Sequence, residues 1–154
     1  MTESSHNKVI SENRKARHNY FIDDTYEAGM VLTGTEVKSL RGGRANLKDS
    51  YAKIKNDEVW VYQIHISPYP WAYFDNHDPL RPRKLLLHKS EIKKLFSKVN
   101  EMGQSLIPLR LYFKGGKVKL LIGLARGKKK YDKRHSIRER DERRDQQRAM
   151  SDRY

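Results

Sequence analysis

The clearest periodicity along the chain is helical. Ile92, Leu95, Phe96, Val99 and Met102 recur at i, i+3, i+4, i+7 and i+10, which predicts an amphipathic helix capped by Ser90 and stopped at Gly103. Elsewhere the apolar residues follow strand-like runs. Tyr20 to Leu32 is rich in aromatic and β-branched side chains and reads as a strand with a bend at Gly29. Thr33-Gly34-Thr35-Glu36 then matches a capping box, with Val37 and Leu40 facing inward. This predicts a helix of about two turns before Gly42-Gly43.

Asp49–Lys55 and Glu58–Ile66 flank Asn56-Asp57, residues that tolerate the positive φ of a tight hairpin. Ser67-Pro68-Tyr69-Pro70 breaks the pattern, and a loop follows through Pro79 and Pro82 to Lys84. Ser105–Phe113 and Lys117–Arg126 form a second hairpin around Gly115-Gly116, with Pro108 marking an edge or a bulge. Five or six antiparallel strands with short helices between them predict a mainly β fold, an OB-type antiparallel barrel.

The flanking segments are different. From Arg126 to Tyr154 there are twelve Lys and Arg against six Asp and Glu, and no Leu, Val, Phe or Trp. Such a segment buries too little apolar area to offset its ordering entropy, so it is expected to be disordered when free and to fold on a partner. Residues 1–17 resemble it in miniature, with Val9 and Ile10 the only aliphatic side chains. The expected organisation is a flexible basic arm (1–17), a barrel (18–126) and a basic tail (127–154).

Charge sets the partner class. Among 154 residues, 33 Lys and Arg face 19 Asp and Glu, for +14 at pH 7, so a polyanion is expected, nucleic acid before an anionic membrane. The absence of cysteine excludes disulfides, thiolate nucleophiles and Cys-built metal sites, and fits a cytoplasmic location. No apolar run approaches a membrane span of roughly 18 residues, and no signal-peptide core precedes Lys15.

Enzyme signatures are weak. The six histidines (6, 18, 65, 77, 88, 135) show no i, i+3 or i+4 pairing, and the acids of the core are scattered over different elements. Gly123 to Lys129 resembles a phosphate loop but is one residue short between its glycines and lacks the Ser or Thr after Lys128. No cofactor, metal or catalytic residue is expected. Glu27 is unusual, an acid within a strand of a strongly basic chain. A surface acid of this kind ordinarily serves solubility, although a carboxylate also accepts from the exocyclic amine of an unpaired base. Lys128-Lys129-Lys130-Tyr131-Asp132-Lys133-Arg134 interleaves one ring with five cations, suiting phosphate neutralisation and base stacking better than a plain solvated tail.

Several motifs occur in order: Tyr26-Glu27-Ala28-Gly29, Leu32 to Arg41, Asp49-Ser50-Tyr51-Ala52, His65 to Tyr69, Asn76-His77-Asp78-Pro79, Arg83 to Leu87, Leu111-Tyr112-Phe113, Arg126 to Lys129 and Asp132-Lys133-Arg134. Together they resemble the small protein B family, the tmRNA-binding proteins of bacterial trans-translation, from about Asn13 onward. The resemblance implies an OB-type barrel and a binding protein, not an enzyme. Its implied partners are the tRNA-like domain of tmRNA and the stalled 70S ribosome with its decoding centre, mRNA channel and ribosomal RNA. Functional cooperation with alanyl-tRNA synthetase and elongation factor Tu is implied as well.

By the same resemblance, Asn13, His18, Glu27, Leu86 and Lys119 fall at RNA-binding positions of the barrel. Gly127, Lys128, Lys129, Asp132, Lys133 and Arg134 fall at the base of a tail that enters the empty mRNA channel. Tyr131 stands where some relatives carry His and suits stacking on a base. Met150, after Ala149, is a short apolar anchor in the distal tail. Two other readings are open to the residues: a general single-strand OB protein, and an RNA-processing enzyme with a carboxylate or metal centre that would use Glu27 and Asp49.

Overall fold

The computed structural model describes residues 8–72 and 74–128, together with Arg140, Arg143 and Arg144. Its elements are β1 (Lys8–Glu12), α1 (Ala16–Asn19), β2 (Tyr20–Met30), α2 (Gly34–Arg41), β3 (Ala45–Asn46), β4 (Tyr51–Lys55), β5 (Glu58–Tyr62), β6 (His65–Ile66), β7 (Arg83–Leu86), α3 (Lys89–Met102), β8 (Ser105–Lys114) and β9 (Lys117–Gly127).

Seven strands form one antiparallel sheet in the order β1-β8-β4-β5-β7-β2-β9, and β8 also pairs with β9. The pairings lead from β8 through β4, β5, β7, β2 and β9 back towards β8 as an OB-like curved sheet, but they do not close it into a complete barrel. The weak place is where β4 meets β8 only through Ala52 opposite Leu106. β3 and β6 make a separate two-stranded ladder.

Local chemistry explains the corners. Asn56 and Asp57 both take positive φ (51° and 61°) between β4 and β5, as do Gly115 and Gly116 (57° and 77°) between β8 and β9, the backbone that matches strand twist in a two-residue hairpin. The β8–β9 register slips between Pro108 and Arg110, placing a bulge beside the residue that lacks an amide donor. Gly29 does not interrupt β2. The irregularity in that strand lies between Ile22 and Asp24 instead.

Inward-facing residues alternate along the strands and fill the barrel. Ala28, Val59, Val61, Leu85, Leu106, Leu111, Leu120, Ile122 and Leu124 form the buried centre, and Leu95 of α3 plugs into the same cluster. At roughly 25 cal/mol per Å² of apolar area, burying each of the Val, Leu and Ile side chains among them contributes about 1.5–3 kcal/mol.

Two expectations are corrected. Order does not begin near His18: Lys8–Glu12 is a strand on β8, with Val9 opposite Tyr112 and Glu12 opposite Arg110. Ile10 packs on the core, and the ladder satisfies backbone groups that a flexible arm would give to water. The cap of α3 is His88, not Ser90, because the Glu91 carboxylate accepts from the His88 amide at 3.2 Å and the helix starts at Lys89. At the other end Gly103 adopts the left-handed conformation (φ 63°) that terminates helices.

α2 opens with the capping box expected for it. The Thr33 amide donates to Glu36 Oε1 at 2.8 Å and the Glu36 amide to Thr33 Oγ1 at 3.4 Å. Among the described residues, no helix is long and apolar enough to cross a membrane.

Candidate nucleic-acid interface

Gly29 is the centre of the first candidate surface. On one side β2 pairs with β7, setting Gly29 opposite Leu86; on the other it pairs with β9, setting Gly29 opposite Lys119. Glu27, two residues earlier, shares the outward face of the strand while Ala28 between them is fully buried. A Cβ at Gly29 would lie 3.4 Å from Leu86 Cβ, so the missing side chain keeps the face open and low beside Leu86, which is half exposed.

These residues line a cleft of about 780 Å³, walled also by Met30, Leu32 and Val37 on one flank and by His88 and Glu91 on another. Three of the five expected barrel residues, Glu27, Leu86 and Lys119, thus come together although they are spread over three strands.

Glu27 is held in place. The Tyr112 hydroxyl donates to its carboxylate, and Lys114 Nζ stands 3.4 Å away. The Tyr112 bond, with smaller help from Lys114 and Lys119, holds the Glu27 carboxyl below the usual carboxylate range. Burial, reinforced by the same bond, pushes the Tyr112 phenol above its ordinary value. Glu27 is therefore an ionised acceptor fixed in a cleft of mixed polar and apolar lining with cations beside it, an arrangement that recognises an amine-bearing edge next to a phosphate.

The other expected residues gather elsewhere. Asn13 ties the end of β1 to β8, its amide donating to Leu109 O at 2.9 Å and its Nδ2 to Pro108 O at 3.0 Å. It lines a second cleft of about 430 Å³ with Lys15, Tyr20, Lys48, Asp49 and Tyr51. His18 is half buried in α1. Gly127 closes β9 opposite Tyr20, and Lys128 continues alongside, its amide donating to Asn19 O at 2.9 Å and its Nζ lying 4.9 Å from the Phe21 ring centroid. Lys129, Tyr131, Asp132, Lys133, Arg134 and Met150 lie outside the described residues.

Glu27 and Asp49, the carboxylates of the enzyme reading, line different clefts. Among the described residues no group of three or more His, Asp or Glu side chains is arranged to hold a metal ion.

Tyr112 was not legible as part of the site, since it lies 85 residues from Glu27 and meets it across β9, through the β8–β9 and β2–β9 registers together. Equally hidden was Glu36, which beyond its capping role accepts from both Arg81 and Arg83 while fully buried.

Comparison with known proteins follows this geometry. The family described as SmpB protein matches residues 10–152. An SsrA-binding protein of Staphylococcus carnosus (strain TM300) is 61% identical over 146 residues, covering 95% of this chain and 94% of the relative. One from Thermobifida fusca (strain YX) is 59% identical over 143 residues, 93% and 89% of the respective chains. A solved structure described as "tmRNA-SmpB: a journey to the center of the bacterial ribosome" aligns at a TM-score of 0.66 and 47% identity, covering 82% of this chain and 93% of that one. With a family match that leaves out only a few residues at either end, the chain belongs to the SmpB protein family.

Proposed function

We propose that this chain binds the tRNA-like domain of tmRNA through the cleft around Gly29 and serves trans-translation as an RNA-binding protein without a catalytic centre. The observation that carries this reading is the convergence of Glu27, Leu86 and Lys119 in one cleft of a chain whose relatives are named SsrA-binding proteins. A folded RNA suits such a surface, because it combines a fixed carboxylate acceptor, an exposed aliphatic side chain and cations, read against shape more than against sequence.

In this reading the barrel (18–126, joined by β1) holds the RNA and favours its alanylation by alanyl-tRNA synthetase. The complex is delivered with elongation factor Tu to the A site of a stalled ribosome in the cytoplasm. The basic segment 127–154 then probes the empty mRNA channel. Gly127 and Lys128 leave the barrel beside α1, with Asn13 and His18 on the same side, and this gives the tail a fixed point of departure distinct from the Gly29 cleft. Lys129, Asp132, Lys133 and Arg134 carry phosphate contacts, Tyr131 stacks on a base, and Met150 anchors the distal end.

The test is binding of the full chain to the tRNA-like domain, to an ordinary tRNA and to an unstructured RNA of equal length across a salt titration. A preference for the first that survives moderate salt is expected, and Glu27→Ala is expected to weaken it by roughly 1–3 kcal/mol, the cost of a lost charged hydrogen bond. Three affinities that fall together with salt would replace this reading with a general single-strand OB protein. Removal of residues 131–154 is expected to leave RNA affinity within a few-fold and to abolish peptide tagging on stalled ribosomes.

A further inference from the structure

The excursion between β6 and β7 is pinned at its two ends, near residues 66–69 and 76–79. His77, nearly buried, donates through Nε2 to Ile66 O at 2.9 Å and bonds through Nδ1 to Thr35 Oγ1 of α2, also at 2.9 Å. Asn76 grips Tyr69 from both sides, accepting from its amide at 3.2 Å and donating to its carbonyl at 3.0 Å. Ser67 N donates to Arg44 O and Ile66 N to Pro79 O, both at 3.0 Å.

This frame holds rings out to solvent. Trp71 is 64% and Phe74 87% exposed, a costly placement for apolar area that serves no core. Tyr69 meets Trp71 edge-on with ring centroids 5.4 Å apart, Lys38 Nζ stands 5.4 Å from the Tyr69 ring and the Arg44 guanidinium 5.5 Å from the Trp71 ring. The neighbouring acids offer little competition: Glu36 is buried against Arg81 and Arg83, and Asp78 accepts from the Leu80 amide. Asp75 alone of these acids is exposed without such a bond.

We propose that this face, Tyr69 and Trp71 with Lys38 and Arg44, together with the exposed Phe74 three residues further along the same loop, binds unpaired nucleotides of the same RNA that occupies the Gly29 cleft. Exposed rings interleaved with cations match an unpaired strand, whose bases offer free π-faces and whose phosphates need neutralising; a duplex offers only the second. Because both ends of the loop are already fixed, less ordering entropy opposes binding than in an untethered segment.

One RNA is the occupant because α2 separates the two surfaces. Val37 lines the Gly29 cleft, while Thr35 and Lys38, one turn apart, face the excursion. A helix is about 10–12 Å across, a distance that a short unpaired loop spans. The inference thus rests on the Gly29 cleft being an RNA site.

The test uses the full chain with Trp60→Phe, which leaves Trp71 the only tryptophan, and two probes, the tRNA-like domain of tmRNA and a uridine octamer. Saturable quenching of Trp71 by the tRNA-like domain, in step with binding followed by anisotropy of the labelled RNA, is expected. Trp71→Ala and Phe74→Ala are each expected to weaken that binding about fivefold or more. Crosslinking of the unmodified chain to thiouridine-containing RNA should map to the same loop, which guards against any disturbance from the Trp60 substitution.

Unchanged Trp71 emission at saturating tRNA-like domain, with both alanine variants within twofold of wild type, overturns the proposal. Quenching by the octamer alone overturns the assignment to the same RNA. In Glu27→Ala the two readings separate: normal affinity with Trp71 still quenched defeats the role of Glu27 and leaves this face standing.

Discussion

The guanidinium of Arg83 donates to the carboxylate of Glu36 with neither side chain reaching solvent, though 47 residues separate them in the chain. The same carboxylate accepts from the Thr33 amide and from Arg81, and Arg83 also donates to Ile64 O at 2.6 Å and Pro79 O at 3.1 Å. One acid therefore caps α2, anchors β7 and closes the base of the 67–82 excursion.

Glu36→Gln is expected to destabilise the fold by about 3–5 kcal/mol, because it leaves a buried guanidinium without its counter-charge. Thr33→Ala, which removes only the hydroxyl half of the cap, is expected to cost about 1 kcal/mol. Urea denaturation of the two variants checks the order. Equal costs would mean that the capping role alone matters.

Acid should act on the same pair. Burial by itself would raise the Glu36 carboxyl, but the Thr33 amide, Arg81 and Arg83 outweigh it and hold the group below its ordinary 4.5. A depressed carboxylate contributes stability that is complete above the unfolded value and is lost as pH falls through the folded one, because the unfolded chain binds the proton first. The stability gap between wild type and Glu36→Gln is therefore expected to narrow below pH 4.5. A gap that stayed constant down to the acid transition would contradict this.

Tyr112 positions Glu27, and its titration should report the contact. In ultraviolet difference titration two tyrosines are expected to ionise above the ordinary phenol value, Tyr26 by a smaller shift and Tyr112 by a larger one. In Glu27→Gln the Tyr112 shift should shrink but persist, since burial is its larger cause. Tyr112→Phe is expected to weaken RNA binding by a smaller amount than Glu27→Ala does, about 1 kcal/mol. A tyrosine titration unaffected by Glu27→Gln would break the assignment.

Close packing limits one position of β9. A Cβ on Gly123 would stand 2.8 Å from Leu109 Cδ1 and 3.1 Å from Ile22 Cγ2. Gly123→Ala is expected to lower stability by about 1–3 kcal/mol through overpacking, and Leu109→Ala in the same chain should recover part of it as a favourable coupling. Strict additivity of the two substitutions in thermal unfolding would locate the strain elsewhere.

What the sequence made legible was local. The helix α3, the Thr33–Glu36 box, the turn residues at 56–57 and 115–116, and the bulge beside Pro108 each depend on neighbours within a few positions and appear where they were expected, although of the apolar stripe of α3 only Leu95, Ile92 and Val99 pack inward while Phe96 and Met102 stay exposed. The strand Lys8–Glu12 was not legible because its few apolar residues gain their worth from β8, about a hundred residues on. The His88 cap was obscured by a nearby Ser90 that fits the usual preference better. In the candidate interface, Glu27 stood out as an acid in a basic chain. Tyr112, Arg83 and the ring-and-cation face around Trp71 depend on strand register and loop closure, which no spacing in the chain encodes.

The two longest ladders of the sheet join β9 to β2 and to β8; the first sets Tyr20 opposite Gly127 and Gly29 opposite Lys119. During synthesis β2 therefore leaves the ribosome long before its principal neighbour exists, while β4 meets its hairpin partner β5 at once. A nascent chain ending ahead of Lys117 holds an eleven-residue strand with one long edge unclaimed, and only completion of β9 relieves it. Folding of this protein is for that reason gated by elongation almost to the end of the barrel, and chains interrupted earlier are the ones exposed to aggregation and proteolysis.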